Sequence, residues 1–228
     1  ADVSGNSNTL SNSRVVFTNG AALFSSAQSS GLATLSALPL NDYPDVTVEF
    51  FYCATNSSSA YRFLLMSGET YGMPGSLSCY GEPNKNNLVS DFHDPAARYD
   101  SENTPQEVNF CDGKWHHVAY VLDSSKTGRN AERLRLYVDQ VRQNVRSTNA
   151  LDSALFNRTL YIGKRGTGTD CFDGRMDDIR ITGRALSTNE FLSAAARTAS
   201  YGCIAYWPFK DGRELEDASG NGYTLVNS

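Results

Sequence analysis

"DGKWHHVAYVLD" (residues 112–123) and, one loop later, "RLRLYVD" (133–139) decide the fold class. In the second stretch Leu134, Leu136 and Val138 fall on one face and Arg133, Arg135 and Tyr137 on the other. That period-two alternation belongs to a strand packed on one side and wet on the other. The first stretch reads as a strand over 116–122, entered from the turn dipeptide Asp112-Gly113; Asp173-Gly174 stands in the same way ahead of "MDDIRIT" (176–182). Outward from this pair the pattern repeats. "RVVF" (14–17), "VTVEFFYC" (46–53), "YRFLLM" (61–66), "SLSCY" (76–80), "NLVSDF" (87–92), "EVNF" (107–110), "TLYIG" (159–163) and "IAYWPF" (204–209) are further strand candidates, separated by clusters of Gly, Asn, Ser and Asp. Helical periodicity is nearly absent. The one helix candidate is "STNEFLSAAA" (187–196), where Ser187 and Glu190 make a capping box and Phe191 and Leu192 an apolar side. The expectation is an all-β, antiparallel chain with one short helix in its C-terminal half.

With 228 residues, 40% of them apolar and 11% aromatic, the chain can bury one large core, so a single domain is expected. It has no 18-residue apolar run and no charged-then-apolar leader at its start, the pattern of a soluble, processed chain. Its mixed charges sum to −5, so neither membrane insertion nor nucleic-acid binding is expected. None of the five cysteines forms a C-x-x-C pair, which argues against zinc. Their odd number leaves at least one thiol unpaired, as in a reduced cytosolic protein or a secreted one with a single bridge.

In order and spacing, "DGKWHHVAYVLD", "LRLYVD", "LYIGKR" and "FDGRMDDIRITGRALSTNEF" resemble the second half of a laminin-G-like jelly roll of the concanavalin A-like lectin and glucanase superfamily. "AYWPFKDG" with "EDASGNGYTL" is similar to the family's first strand and loop, and "VVFTNGAALF" with "VTVEFFYC" to the strands that come next in the family. The resemblance implies a two-sheet antiparallel β-sandwich over residues 1–228. In the family the tryptophan strand comes first, whereas here it comes last. "DVSGNSNTLSNS" (2–13) and "DASGNGYTLVNS" (217–228) match at eight of twelve positions at an offset of 215. The ends therefore have the order of a cyclically permuted domain or the period of a tandem array, with 204–228 standing for the first strand and loop of the domain or of a following repeat. Residues 204–209 are expected to fold back beside "MDDIRIT", with Trp207 and Phe209 closing the core.

Glucanases on this fold present paired carboxylates as E-x-D-x-x-E or E-x-D-x-E, and neither pattern occurs. Adjacent strand residues alternate in direction, so Asp177 and Asp178 are expected on opposite faces, as are His116 and His117. His93 sits in a polar stretch with no nucleophile pattern nearby. No catalysis is expected.

The D-x-S-G-N loops offer the oxygen-rich mix that calcium takes. Asp177 shares a face with Ile179 and Ile181, so it is expected to begin its strand on the core side and to need a partner there, which alternation allows to be a backbone N–H or an arginine. The resemblance implies a structural calcium ion between this strand and the loop. Asp2 or Asp217, Asn6 or Asn221, and Asp177 or Asp178 are the matching positions, with the 217–221 copy expected to hold the site; an Asx-turn without metal is the alternative. The resemblance also implies a bridge between Cys171 and Cys203.

Sugars are commonly bound by aromatic faces with polar groups beside them. The candidates are Tyr71, Tyr80, His93, Arg98 and Tyr99. The functional expectation is a non-catalytic carbohydrate-binding module of a secreted or cell-surface protein. Its partners would be a glycan or polysaccharide and neighbouring repeat modules. An adhesion or spacer module binding protein ligands is the alternative, and a glycoside hydrolase, lacking its motif, the weaker one.

Overall fold

The structure, a computed structural model, describes residues 15–55, 59–96, 99–105, 109, 111–126, 133–145, 154–210 and 212–228, with backbone alone at 99, 100, 102, 144 and 145. Two eight-stranded sheets pack face to face. The first runs β1 (Val16–Thr18), β2 (Ala21–Phe24), β14 (Gly174–Thr182), β4 (Val46–Cys53), β9 (Trp115–Leu122), β10 (Leu134–Val138) and β11 (Val141–Arg142), with β15 (Cys203–Trp207) also on β14. The second runs β12 (Asn144–Val145), β8 (Tyr99–Asn103), β7 (Val89–His93), β6 (Ser76–Gly81), β5 (Arg62–Ser67), β13 (Leu160–Ile162), β3 (Leu32–Thr34) and β16 (Leu225–Asn227). Each strand pairing named here is antiparallel. This is the expected jelly-roll sandwich.

Alternation explains β10, where Leu134, Leu136 and Val138 are buried and Arg135 and Tyr137 half-buried. It does not explain β4, which is buried at all eight positions. The reason is a strap of chain, residues 183–202, crossing the outside of the first sheet. There Leu186 and Phe191 pack on Ala119 and Val121. Beneath the strap the Glu49 carboxylate, fully buried, accepts from Arg180 Nε at 2.9 Å, from the Leu192 N–H at 2.7 Å, and lies 3.2 Å from His117 Nε2.

This ion pair also corrects the expected helix. Ser187 and Glu190 do form their capping box, but only a single 3-10 turn, Thr188–Glu190, comes after it. A helix over 187–196 would need the Glu190 carbonyl and the Leu192 N–H for its own ladder. Arg180 takes the carbonyl at 2.8 Å and Glu49 takes the N–H, so the tertiary partners replace the local ones.

Residues 204–209 fold back as expected. β15 lies along β14, with Ile179 opposite Trp207 and Ile181 opposite Ala205. β2 occupies the same edge of β14 further along, opposite Gly174–Met176, so the two short strands share that edge end to end. Trp207 and Phe209 are fully buried in the main core, and the indole N–H donates to the Tyr223 carbonyl at 2.7 Å.

The expected Cys171–Cys203 bridge is absent, and all five cysteines are free. Cys171 bridges to Phe63 of the second sheet, whereas Cys203 is paired with Thr182 of the first. Their thiols bond the local carbonyls of Gly168 and Ala205 respectively.

Candidate ligand-binding site

Three of the five aromatic and polar candidates come together on the outer face of the second sheet. Antiparallel register puts Phe63, Tyr80 and Val89 in one rung and Met66, Ser78 and Asp91 in another, with the rung of Leu65, Cys79 and Ser90 between them. Phe63, Met66, Tyr80 and Val89 form a small apolar cluster separate from the main core. The loop after β5 brings Tyr71 over it, 5.8 Å from Tyr80 and 6.0 Å from Phe63 in edge-on arrangements. Tyr71 and Tyr80 both donate their hydroxyls to Asp91 Oδ2, at 2.5 and 2.8 Å. The His93 ring meets Tyr71 edge-on at 5.0 Å.

The opposite wall is Arg165, from the turn after β13. Its guanidinium lies 5.0 Å above the Phe63 ring and pairs with Asp170 at 3.0 Å. Gly166 makes this placement possible: a Cβ there would stand 2.5 Å from the Glu69 backbone, so only glycine lets the two loops touch. Together Tyr61, Phe63, Tyr71, Tyr80 and Arg165 line an open pocket of about 120 Å³. An apolar cavity of ~150 Å³ holds one benzene, so the scale is that of one six-membered ring.

Three polar atoms here have no partner among the described residues, Arg165 Nε, Asp91 Oδ1 and Ser78 Oγ, and Asp91 is only 1% exposed. Burial, the Asp91 charge and the contact with the neighbouring Tyr71 hydroxyl hold the Tyr80 hydroxyl far above its ordinary range, so it stays a donor and is not an activated nucleophile. Burial lowers His93 below its ordinary 6.5, with Asp91 and Asp94 pulling the other way. The unfolded chain therefore takes the proton first. The stability tied to neutral His93 is complete above about pH 6.5 and declines as pH falls through the lower folded value. Urea unfolding at about pH 7 and about pH 5 is expected to lose more stability in the wild type than in His93→Asn; equal losses would refute that role.

Tyr80, the last residue of the strand candidate 76–80, lies in β6, whereas His93, expected in a polar stretch just past the candidate 87–92, is the last residue of β7. Arg98 falls outside the described residues, and of Tyr99 only the backbone, paired with His93, is described. Missed were Tyr61, Phe63, Arg165 and Asp91. Phe63 and Tyr80 each carry a legible signal, being aromatic on the face opposite the core positions Leu64 and Cys79. Arg165 carries none, because its place depends on two loops meeting.

The positions implied for calcium are arranged differently from the expectation. Asp2 and Asn6 lie outside the described residues. Asp217 Oδ1 accepts from the N–H groups of Tyr206 and Ser219, at 2.9 and 2.8 Å, and Oδ2 from Ser219 Oγ and the Tyr223 N–H, at 2.8 and 3.1 Å. Four donors occupy the carboxylate's roughly four lone-pair directions. Asn221 donates to the carbonyls of Cys203 and Ile204. The bond from the Ser219 N–H to Asp217 Oδ1 closes an Asx-turn.

Asp177 and Asp178 do not point to opposite faces, nor does Asp177 face the core. A β-bulge lies between Asp177 and Arg180, with Asp178 at φ +50°. The extra residue breaks the alternation. Met176 and Ile179 both enter the core, and both carboxylates turn out to Arg197, whose Nη1 is 3.0 Å from Asp177 Oδ2 and 2.6 Å from Asp178 Oδ2. Lys210 Nζ lies 3.2 Å from Asp178 Oδ2, and Tyr206 donates its hydroxyl to Asp178 Oδ1. Burial and the charge of Asp178 push Asp177 up to about 6.

Among solved structures, the chain resembles a protein provisionally named as carbohydrate binding from Bacteroides ovatus (15% identity, TM-score 0.60, 93% of this chain and 59% of that one). It also resembles domains LG4-5 of the mouse laminin α1 chain (20% identity, TM-score 0.55, 90% and 52%). A third is the Ruminococcus gnavus IT-sialidase CBM40 bound to α2,3-sialyllactose (14% identity, TM-score 0.52, 78% and 94%). The chain thus spans little more than half the length of the first two. These neighbours are mostly binding modules. No curated protein matches the chain. Residues 25–191 match the sequence profile of the concanavalin A-like lectin/glucanases superfamily, and with most of its length inside that match the chain belongs to this family.

Proposed function

We propose that this protein is a non-catalytic carbohydrate-binding module whose ligand ring sits in the pocket of Tyr61, Phe63, Tyr71, Tyr80 and Arg165. The observation that carries the reading is Arg165 Nε, a buried donor without a partner at the wall of an aromatic pocket. A buried N–H left unmade costs about 1–3 kcal/mol, so a ligand oxygen arriving there recovers energy that the free protein forgoes. The aromatic rings supply apolar faces for the carbon side of a sugar ring, and the Asp91 carboxylate underneath fixes both tyrosine hydroxyls. A bound sialyllactose in one structural neighbour supports glycans as the ligand class. Among the described residues that line the pocket, Tyr61, Phe63, Tyr71, Tyr80 and Arg165, there is no carboxylate. Secretion or display on a cell surface, where glycans are met, goes with this reading, as do neighbouring repeat modules within a longer protein.

A glycan array of the full chain, followed by calorimetry on the ligands it identifies, tests the proposal. Arg165→Ala and Tyr61→Ala are each expected to weaken binding about tenfold or more, 1.4 kcal/mol per decade, while each variant still unfolds in a single cooperative transition. Undiminished binding by both variants would place the ligand elsewhere; no array binding at all would turn the reading toward a protein-binding adhesion module.

A further inference from the structure

The family resemblance implies a calcium ion near the ends of this domain, and the residues present do not fit one. Asp217 is saturated by four donors of its own loop and strand. Asp178 is fully buried under Arg197, Lys210 and Tyr206. The two acidic positions do not converge either. Tyr206 gives its N–H to Asp217 and its hydroxyl to Asp178, so the length of one tyrosine side chain separates them. Among the described residues no group of three or more His, Cys, Asp or Glu is placed to hold a metal ion.

We infer that Arg197 and Lys210 take the place of a divalent cation and make closure of the domain metal-independent. The position of the cluster supports this. Asp177 and Asp178 occupy the bulge of β14 that separates its pairing with β2 from its pairing with β15. An unscreened pair of carboxylates there would repel across the seam that joins the beginning of the described chain to its end. Each cation comes from a different segment crossing the seam. Arg197 reaches in from the strap, its guanidinium held 4.3 Å from the Phe51 ring. Lys210 lies just beyond β15 in the chain, and its stem lies against Gly20 in the turn between β1 and β2, 3.5 Å from where a Cβ would stand. Two carboxylates and two cations balance, as they would around one doubly charged ion. The clip therefore ties strap, β14, the β1–β2 turn and the returning strand together with groups the chain itself supplies.

Thermal unfolding of the full chain, first with excess chelator and then with millimolar calcium chloride, tests this directly. The wild-type midpoint is expected to stay the same in both, and a rise of several degrees with calcium would overturn the proposal. Arg197→Ala/Lys210→Ala is expected to melt several degrees lower and to recover part of the loss on adding calcium, because Asp177 and Asp178 are then exposed to the ion. A double variant as stable as the wild type would equally overturn it. Lys210→Met alone removes the more exposed cation and keeps the measurement available if the double variant does not fold. None of these readouts involves a sugar, so they stand or fall apart from the glycan-binding proposal.

Discussion

A chain cut after Ser200 is expected to be unable to fold cooperatively and to aggregate, whereas the full chain gives a single sharp transition. The cut removes β15 from the edge of β14 and β16 from the edge of β3, leaving two rows of unpaired backbone groups. It also takes Ile204, Ala205, Trp207, Phe209 and Leu225 out of the main core. Trp207→Ala isolates the largest single part of this loss. The indole is fully buried, and large-to-small replacement of such a ring costs about 3–5 kcal/mol. Against a total stability of about 5–15 kcal/mol that is a large share. Urea unfolding of Trp207→Ala and size-exclusion chromatography of the truncation provide the measurements. A monomeric truncation with a cooperative melt would show that the returning strand completes nothing.

Arg180→Ala is expected to be as damaging, through a different mechanism. It leaves the fully buried Glu49 carboxylate with His117 and the Leu192 N–H as its remaining partners among the described residues, and it frees the Glu190 and Thr198 carbonyls on the strap. Breaking one side of a buried ion pair costs about 3–5 kcal/mol. Replacing both members with apolar groups removes the stranded charge, so Arg180→Leu/Glu49→Leu is expected to lose less than the sum of the two single variants. Denaturant unfolding of the four proteins in a double-mutant cycle measures the coupling. Additive losses would mean that the pair does not act as a unit. Amide exchange of residues 186–192 should rise in Arg180→Ala, since the strap then lacks its anchor.

The pocket was partly legible in the sequence. Tyr71, Tyr80 and His93 were singled out from separate stretches because aromatic and polar residues near turns suit a sugar, and the register of β5, β6 and β7 brings Tyr80 and His93 onto one outer face. Tyr71 joins them through Asp91, which no local pattern marks as the acceptor of two tyrosine hydroxyls. Arg165 enters only because Gly166 permits contact between loops about a hundred residues apart.

Short-range rules account for the features that the sequence determined by itself. Period-two alternation and turn dipeptides specify antiparallel strands, and the resemblance carried by the order of the strand motifs implies the sandwich and the return of the tryptophan strand to β14, where a strand position would otherwise stay empty. Tertiary structure alone decided the rest. The capping box at Ser187 begins a turn, but Arg180 and Glu49 take the groups a helix would use, and a buried charge outweighs local propensity there. Strict alternation sends Asp177 and Asp178 apart, but one extra residue in β14 turns both toward Arg197. In each case a long-range electrostatic partner, invisible in any local window, sets the conformation, since desolvated charges must find counter-charges wherever the fold supplies them.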